Sequence, residues 1–244
     1  MFRGIFTMCM AGVYFVVSLP VELIYCIIRA FSRKKADRFI FNWIKAGFHM
    51  VNFFCGNKLT VIGLDRIPRD RPVVFIANHR SIFDVMTSYS VLPDPTGVLA
   101  KDSLGKIPLF GLMMKQIYCL FLDRSSLEDG LRVITQAIDY VKSGINYMVF
   151  PEGTRNKEEG TLLPFHAGSF KIATRTGAPI IPLTIVNTGD IFDPHIPEVH
   201  PAHVIIDFGE PIETKTIKAS ERKLLPEKVR DIIQETYQKD KKLI

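Results

Sequence analysis

Residues Val74–Asp84 read VFIANHRSIFD, and this stretch decides how the rest of the chain is interpreted. An apolar run ends at Ala77, and Asn, His, Arg, Ser and Asp follow within the next seven residues. A short apolar run that stops at polar residues predicts a buried strand followed by a turn. In open α/β sheets, sites form at the carboxyl ends of strands. The stretch therefore predicts a strand that carries a functional cluster to one edge of a sheet.

His79 and Asp84 are the residues of this stretch that point to chemistry. On an ideal helix, side chains five residues apart point about 140° away from each other and cannot meet. They meet if His79 lies on the turn and Asp84 lies in the first turn of a following helix. Asp84 would then accept a hydrogen bond from one ring nitrogen and leave the other nitrogen as a general base. The alternative is an ordinary helix start in which Asn, Ser and Asp act as caps.

A second cluster, MVFPEGTRN, follows another apolar run at residues 148–156. Gly153 allows the backbone to approach a ligand closely. Thr154 offers a hydroxyl and Arg155 a bidentate guanidinium, which together suit a phosphate. Glu152 would hold the arginine or contact the ligand. The alternative is a tight turn with a local ion pair.

Two further apolar runs end in a cation, VLAK at Lys101 and LFLDR at Arg124. Parallel strands would bring His79, Lys101 and Arg155 to the same edge of the sheet, together with Arg124. One base and three cations predict a site for an anionic substrate that carries a hydroxyl. Because the sequence has no GxSxG segment, the base would act on that hydroxyl directly.

Short apolar runs alternate with helical periodicity from about residue 56 onward. This alternation predicts an α/β fold with a mostly parallel central sheet flanked by helices. The predicted strands are 59–64, 73–77, 97–100, 118–122, 146–150, 180–186 and 204–208. The predicted helices are 82–92, 106–116, 127–143, 167–176 and 221–240. We therefore expect an α/β domain over residues 56–244, preceded by a membrane-anchoring pair of helices over residues 1–55.

The first helix of this pair is predicted from Ile5 to Ile28, a segment without charge until Glu22. A helix of that length measures about 36 Å, enough to cross the roughly 30 Å hydrocarbon layer. Pro20 should kink the helix, and Glu22 is costly at depth. A tilted span, a half-buried re-entrant helix and a signal peptide remain open. The basic stretch that follows disfavours the signal peptide.

The second helix, over residues 39–56, is predicted to lie in the bilayer interface. Its polar residues fall on one narrow stripe: Asn42, Lys45, His49 and Asn52. Almost all other positions are apolar or small, and Trp43 would lie near the lipid headgroups. The alternative is a helix that is buried against the protein's own core.

Basic residues are concentrated beside this apolar region. The chain carries a net charge of +6, and residues 1–54 hold seven Lys or Arg against two acidic residues, a net +5. A nucleic-acid-binding protein would carry its basic stripe on the folded body, so that class is not expected. The charge instead suits an anionic membrane surface. The basic stretch 29–38 predicts that the body lies on the cytoplasmic face.

The sequence indicates neither a disulfide framework nor a metal site. None of the four cysteines are in CxxC spacing, and two of them lie in the apolar N-terminal region. His195, His200 and His203 lie near Asp193, but their spacing matches no known ligand pattern. We therefore expect no metal and no cofactor.

Four segments, NHRSIFD, FLDR, FPEGTR and APIIPL, occur in this order along the chain. In sequence and spacing they resemble the four motifs of the glycerolipid acyltransferase family, and within it the 1-acyl-sn-glycerol-3-phosphate acyltransferases. The resemblance covers roughly residues 56–210. It implies a membrane-bound enzyme that acylates the sn-2 hydroxyl of lysophosphatidic acid. The co-substrate would be acyl-CoA or acyl carrier protein, and the product phosphatidic acid.

The resemblance also implies roles for individual residues. His79 would be the general base and Asp84 would orient it, with no acyl-enzyme formed. The glycerol phosphate would be bound by residues of the second and third motifs, with Lys101 adding charge: Arg124, Glu152, Gly153, Thr154 and Arg155. Pro179 and Pro182, in the fourth motif, would shape the acyl-chain or thioester side of the site.

Two positions depart from the family pattern. Relatives usually open the second motif with glycine, where this chain has Tyr118, and many carry lysine where this chain has His166. We expect both residues to lie near the substrate pocket and to affect the choice of acceptor. Another lysolipid, such as a lyso-ornithine lipid or another lysophospholipid, therefore stays open as the acceptor. A non-catalytic membrane lipid-binding module is a further alternative.

Overall fold

The computed structural model describes residues 2–123, 126–196 and 198–244. Its described part contains a seven-stranded sheet. The strands are β1 (Lys58–Ile62), β2 (Val74–Ala77), β3 (Thr96–Lys101), β4 (Leu120–Leu122), β5 (Asn146–Val149), β6 (Ile180–Val186) and β7 (His203–Phe208). All seven were predicted, within about two residues at their ends. β2, β5 and β6 are buried along their whole length, which is why their sequences are continuous apolar runs.

The strand order across the sheet is β1-β7-β6-β2-β5-β3-β4. β6, β2, β5, β3 and β4 run parallel, whereas β7 is antiparallel to β6 and parallel to β1. The sheet is therefore mostly parallel, and the predicted α/β class is confirmed. Since five strands share one direction, their carboxyl ends meet at one edge, which we call the site edge.

Helices cover both faces of the sheet. They are α1 (Phe2–Phe31), α2 (Arg33–Cys55), α3 (Phe83–Val91), α4 (Asp102–Gly105), α5 (Phe110–Gln116), α6 (Leu127–Lys142), α7 (Lys171–Thr176), α8 (Ala219–Arg222) and α9 (Leu225–Asp240). The predicted helix 106–116 is shorter at its start, because Leu109 has a positive φ of 58° that a continuous helix cannot contain. The predicted helix 167–176 begins as a 3-10 turn (Ala167–Phe170) and continues as α7. The predicted helix 221–240 begins within the short α8 and continues as α9.

Side chains of the central strands point alternately into two apolar clusters. Phe75 and Met148 join a cluster that includes residues of α2, α3 and α5. Val74 and Ile76 join a second cluster on the other face, which includes residues of α6, α7 and α9. This alternation is the two-residue period of a strand buried on both faces. It fixes β2 in register and thereby fixes the position of the turn that follows it.

α2 packs against the body rather than presenting its apolar face to lipid. Ile40, Phe41 and Ile44 belong to the apolar cluster that covers the sheet. The Trp43 ring stacks on Tyr14 of α1 with centroids 5.1 Å apart. The prediction of an interfacial helix with Trp43 at the headgroups is therefore wrong for this face, and the buried alternative is what the structure shows.

The polar stripe of α2 is also divided between two environments. Lys45 Nζ donates to the Leu92 carbonyl (2.7 Å), and Asn52 Nδ2 donates to the Met86 carbonyl (3.4 Å). Asn42 and His49 are exposed. Two of the four polar residues thus bind backbone carbonyls in and beside α3. Residues on a polar stripe of a helix can therefore bind the protein's own backbone instead of facing solvent.

α1 lies along α2 and leaves a broad apolar face exposed. In the part of the chain that the structure describes, it is the one helix long and apolar enough to cross a membrane. Its exposed apolar residues are Ile5, Phe6, Met8, Val13, Val16, Val17, Leu19, Leu23, Ile24, Ile27 and Phe31. Pro20 lies inside the continuous helix. An apolar face of this extent is typical of membrane contact.

Candidate functional site

The end of β2 brings His79 and Asp84 together. The Asn78 side chain donates to the Ile185 carbonyl and accepts from the Ile185 amide, both at 2.8 Å, which anchors the strand end to β6. His79 then leaves the sheet, and its Nδ1 lies 2.8 Å from Oδ2 of Asp84, in the first turn of α3. This is the turn-and-helix geometry that the five-residue spacing predicts.

Asp84 is fully buried, and its carboxylate is surrounded by hydrogen-bond donors. Oδ2 also accepts from the backbone amides of Arg80 (2.6 Å) and Ser81 (2.8 Å). Oδ1 accepts from the hydroxyl of Thr188. These donors replace the water that the carboxylate loses on burial. The carboxylate therefore holds the turn and the imidazole in one arrangement, rather than acting only as a helix cap.

The geometry leaves Nε2 of His79 as the basic nitrogen. An ionised carboxylate can only accept hydrogen bonds, so Nδ1 of His79 carries the hydrogen that is donated to Asp84. Nε2 then has the lone pair. The side chain is 13% exposed and lies against Phe150, with ring centroids 4.4 Å apart. A mostly covered imidazole with a defined tautomer is suited to accept a proton from a bound hydroxyl.

Glu152 fixes the backbone of His79 from the other side. Its Oε1 accepts from the His79 amide (2.7 Å), and its Oε2 accepts from the Leu163 amide (3.0 Å). Burial raises the pKa of the Glu152 carboxyl, and the two amides oppose that rise. In this arrangement the carboxylate ties the end of β5 to the end of β2. The expectation that Glu152 holds Arg155 is wrong, because Arg155 pairs with Asp193; contact of Glu152 with a ligand stays a prediction.

Gly153, Thr154 and Arg155 form the loop that follows β5 at the site edge. Gly153 has a φ of +67°, and a Cβ atom there would lie 3.2 Å from the ring of His166. Thr154 and Arg155 are exposed. His166 thus lies beside the predicted phosphate loop, whereas its place near the substrate pocket and the loop's binding role stay predictions.

Arg155 is linked to the turn after β2, which carries His79, through Asp193 of the segment after β6. Its Nη1 lies 3.2 Å from Oδ1 of Asp193. The other oxygen of Asp193 accepts from the Ser81 hydroxyl. The ion pair of Arg155 is therefore long-range rather than local to its turn. It places an exposed cation beside the residues that position His79.

Lys101 reaches the same edge at a greater distance. Val98 of β3, Met148 of β5 and Phe75 of β2 are in register, and Lys101 follows Val98 by three residues, as Asn78 follows Phe75. The two strands are separated by β5, which puts them about 10 Å apart at a strand spacing of about 4.8 Å. Lys101 is exposed at the end of its strand. Arg124, the remaining predicted cation, lies outside the described residues.

Tyr118 and Pro179 lie away from the site edge. Tyr118 precedes β4, and Pro179 precedes β6 and accepts from the Val74 amide at the start of β2. Both therefore lie near the opposite edge of the sheet from His79. The expectation that Tyr118 lies near the substrate pocket is wrong for a pocket at His79. The role of Pro179 on the acyl-chain or thioester side stays a prediction. Pro182 is buried in the middle of β6, and its role on the acyl-chain side stays a prediction.

Tyr118 instead connects the body to the N-terminal helices. Its φ of +63° is in the region that favours glycine. Its hydroxyl donates to the buried carboxylate of Asp37 in α2. Arg33 donates to the same hydroxyl at 3.2 Å. Burial is the main cause that raises the pKa of Tyr118 to about 12.

The sequence patterns did not indicate Thr188 as a site residue, and they named Asp193 only beside the histidines of its segment. Both lie in the segment 187–202, which has no regular periodicity. One signal in the sequence could have indicated this segment. A strand over 180–186 that is parallel to the strand before His79 must also end at the site edge, so the residues after it start there. Among the described residues, no group of three or more His, Cys, Asp or Glu is arranged to hold a metal ion.

A family model described as Acyltransferase matches residues 58–186. A 1-acyl-sn-glycerol-3-phosphate acyltransferase of Saccharomyces cerevisiae is 31% identical over 80% of this chain and 65% of its own length. One of Borreliella burgdorferi is 29% identical over 80% of this chain and 78% of its own length. The chain thus spans a little less than two thirds of the yeast relative.

A solved structure resembles the whole fold. The crystal structure of the 1-acyl-sn-glycerophosphate (LPA) acyltransferase PlsC from Thermotoga maritima has a TM-score of 0.78. The match has 26% sequence identity and covers 98% of both chains. The similarity therefore includes the N-terminal helices as well as the sheet.

We predict that Glu152→Gln destabilises the fold. The amide NH₂ of glutamine cannot accept, so one of the two backbone amides would face a donor and lose its partner. A buried unsatisfied donor costs about 1–3 kcal/mol. Thermal unfolding followed by circular dichroism should show a lower Tm than for wild type. The matched control is Glu158→Gln, at an exposed position of the same loop; equal Tm values for the two variants would contradict the bridging role of Glu152.

Proposed function

The chain belongs to the acyltransferase family, and from that premise we propose that it acylates a lysophospholipid. The acceptor would be 1-acyl-sn-glycerol-3-phosphate and the product phosphatidic acid. The observation that carries the proposal is the hydrogen bond between His79 Nδ1 and the buried carboxylate of Asp84 (2.8 Å). A module that only binds lipid would not need a buried carboxylate that defines the basic nitrogen of a histidine.

The reaction follows from the position of Nε2. The sn-2 oxygen attacks the thioester carbonyl carbon while Nε2 of His79 accepts the hydroxyl proton. The carbon–sulfur bond then breaks, and the imidazolium returns the proton to the departing thiolate. Asp84 stabilises the imidazolium between these steps. Direct attack is favoured over an acyl-enzyme because the hydroxyl of Ser81, in the same turn, donates to Asp193 rather than to His79.

The phosphate of the acceptor would bind the loop after β5. Arg155 is exposed and pairs with Asp193, which is itself partly exposed. Exposed ion pairs contribute little stability, whereas a guanidinium binds a phosphate bidentately. The phosphate would therefore replace Asp193 at Arg155, with the Thr154 hydroxyl nearby and Gly153 allowing a close approach to the backbone. Lys101 and Arg124 would add positive charge at the same edge.

Membrane attachment would place this site beside its lipid substrate. α1 runs along α2, and α2 packs on the body, so the exposed apolar face of α1 lies side-on to the catalytic domain. We propose that this face enters the bilayer and that the basic stretch 29–38 contacts anionic headgroups on the cytoplasmic side. The acyl donor would be acyl-CoA or acyl carrier protein, which thiol-release assays with each donor would distinguish.

We predict that His79→Ala abolishes turnover without abolishing lipid binding. Loss of a general base costs roughly 10²- to 10⁴-fold in rate. The measurement is thiol release from oleoyl-CoA by purified protein in detergent, with and without lysophosphatidic acid. His49→Ala, at an exposed position on α2, serves as the control. If His79→Ala retained most of the acceptor-dependent rate, the role of His79 as base would be refuted. If wild type released no thiol with any donor and lysolipid, the lipid-binding module would be favoured.

We predict that Arg155→Gln raises KM for lysophosphatidic acid. Hydrogen bonds to charged groups contribute about 1.5–3 kcal/mol, which corresponds to a KM increase of roughly 10- to 100-fold. The control is Arg175→Gln, in α7 near the start of β6 and so away from the site edge. An unchanged KM in Arg155→Gln would contradict the phosphate role and favour an acceptor without a phosphomonoester, such as a lyso-ornithine lipid.

A further inference from the structure

Thr188 contacts the catalytic pair without contacting His79. It is fully buried and opens the 3-10 turn Thr188–Ile191 that follows β6. Its hydroxyl donates to Oδ1 of Asp84, whereas the imidazole and the backbone amides of Arg80 and Ser81 all bind Oδ2. Among the described residues, Thr188 is thus the one donor to Oδ1. The two oxygens of the carboxylate are held from opposite sides.

The fold specifies the place of Thr188 closely. β6 runs parallel to β2, and the two bonds between Asn78 and Ile185 align the strand ends. Asn187 then adopts a positive φ of 71°, which asparagine tolerates better than most residues. Gly189 follows, and a Cβ there would lie 2.4 Å from Nε of Arg80. The sequence Asn-Thr-Gly therefore turns the chain directly after β6 and brings the Thr188 hydroxyl to Asp84.

We propose that Thr188 is a positioning residue of the acyl transfer, acting by fixing the rotation of the Asp84 carboxylate. This inference rests on the proposed function. The terminal torsion of an aspartate is broad and nearly two-fold, so a carboxylate held through one oxygen pivots readily. Held through both oxygens, Asp84 presents Oδ2 to Nδ1 of His79 in one orientation. Nε2 of His79 then points in a fixed direction toward the substrate hydroxyl.

The expected signature is an effect on kcat rather than on KM. Thr188 does not reach the exposed loop that would bind the acceptor phosphate, so its loss should leave binding unchanged. A small misplacement of a catalytic group costs up to about 10²-fold in rate. A purely structural threonine would lower stability without this selectivity.

The test compares three substitutions with one matched control. Thr188→Val keeps the shape and removes the donor; Thr188→Ser keeps the donor; Thr188→Cys offers a weak donor. The control is Thr87→Val in α3, since Thr87 is also fully buried but its hydroxyl donates to backbone carbonyls, those of Phe83 (2.7 Å) and Asp84 (3.3 Å), rather than to the Asp84 carboxylate. For each variant, kcat and KM for lysophosphatidic acid are measured by thiol release, and Tm by circular dichroism.

We expect Thr188→Val to lower kcat by about 10- to 100-fold with KM within about twofold of wild type. Thr188→Ser should restore most of kcat, and Thr188→Cys should fall between them. Thr87→Val should lose stability but keep its kcat. Should Thr188→Val fail to fold, the test compares the other two variants. Thr188→Ser should then have a higher kcat than Thr188→Cys, with the same KM.

Two results would overturn the inference, and they are distinguishable from failure of the proposed function. In the first result, wild type is active and Thr188→Val keeps the wild-type kcat, which would mean that Thr188 has no positioning role. Where the valine variant does not fold, Thr188→Cys takes its place in this comparison. A kcat loss in Thr87→Val equal to that in Thr188→Val would show a general packing effect. If wild type and Thr188→Ser transfer no acyl group to any lysolipid from either donor, the proposed function itself fails, and the positioning role with it.

Discussion

The buried carboxylate of Asp84 is the constraint on which the rest of the site depends. A charge removed from water must be compensated by hydrogen-bond donors, and removal of one partner from such a group is strongly destabilising. Its donors come from the turn after β2, from the His79 ring and from the turn after β6. The end of two strands and the start of α3 therefore have to meet at one point.

Glu152 is a second buried carboxylate that accepts hydrogen bonds, on the other side of His79. Asp84 holds the imidazole, whereas Glu152 holds the His79 backbone amide and the loop that returns toward β6. Two buried carboxylates thus fix the side chain and the main chain of one residue. Exposed groups, among them Arg155 and Lys101, surround this rigid centre. In the proposed reaction the base has to be fixed, whereas the cations proposed to bind the phosphate have to remain open to a lipid substrate.

Much of this arrangement could be predicted because its causes are local. The apolar run of β2 and the five-residue spacing of His79 and Asp84 are both contained in eleven residues. The donor to Oδ1 could not be predicted, since Thr188 lies 104 residues from Asp84 in a segment without periodicity. The face of α2 was misjudged for a related reason: Lys45 and Asn52 bind backbone carbonyls of distant residues, and a polar residue bound in this way has the same sequence pattern as an exposed one.

The most direct test of the central claim is the kcat of Asp84→Asn, measured with lysophosphatidic acid and the donor that wild type uses. Asparagine keeps the size of the side chain but presents an amide, so His79 loses the carboxylate that defines its tautomer. A carboxylate with this role contributes on the order of 10³- to 10⁴-fold to kcat. The account predicts a loss of that size in a folded variant with an unchanged KM. Retention of most of the wild-type kcat would contradict it.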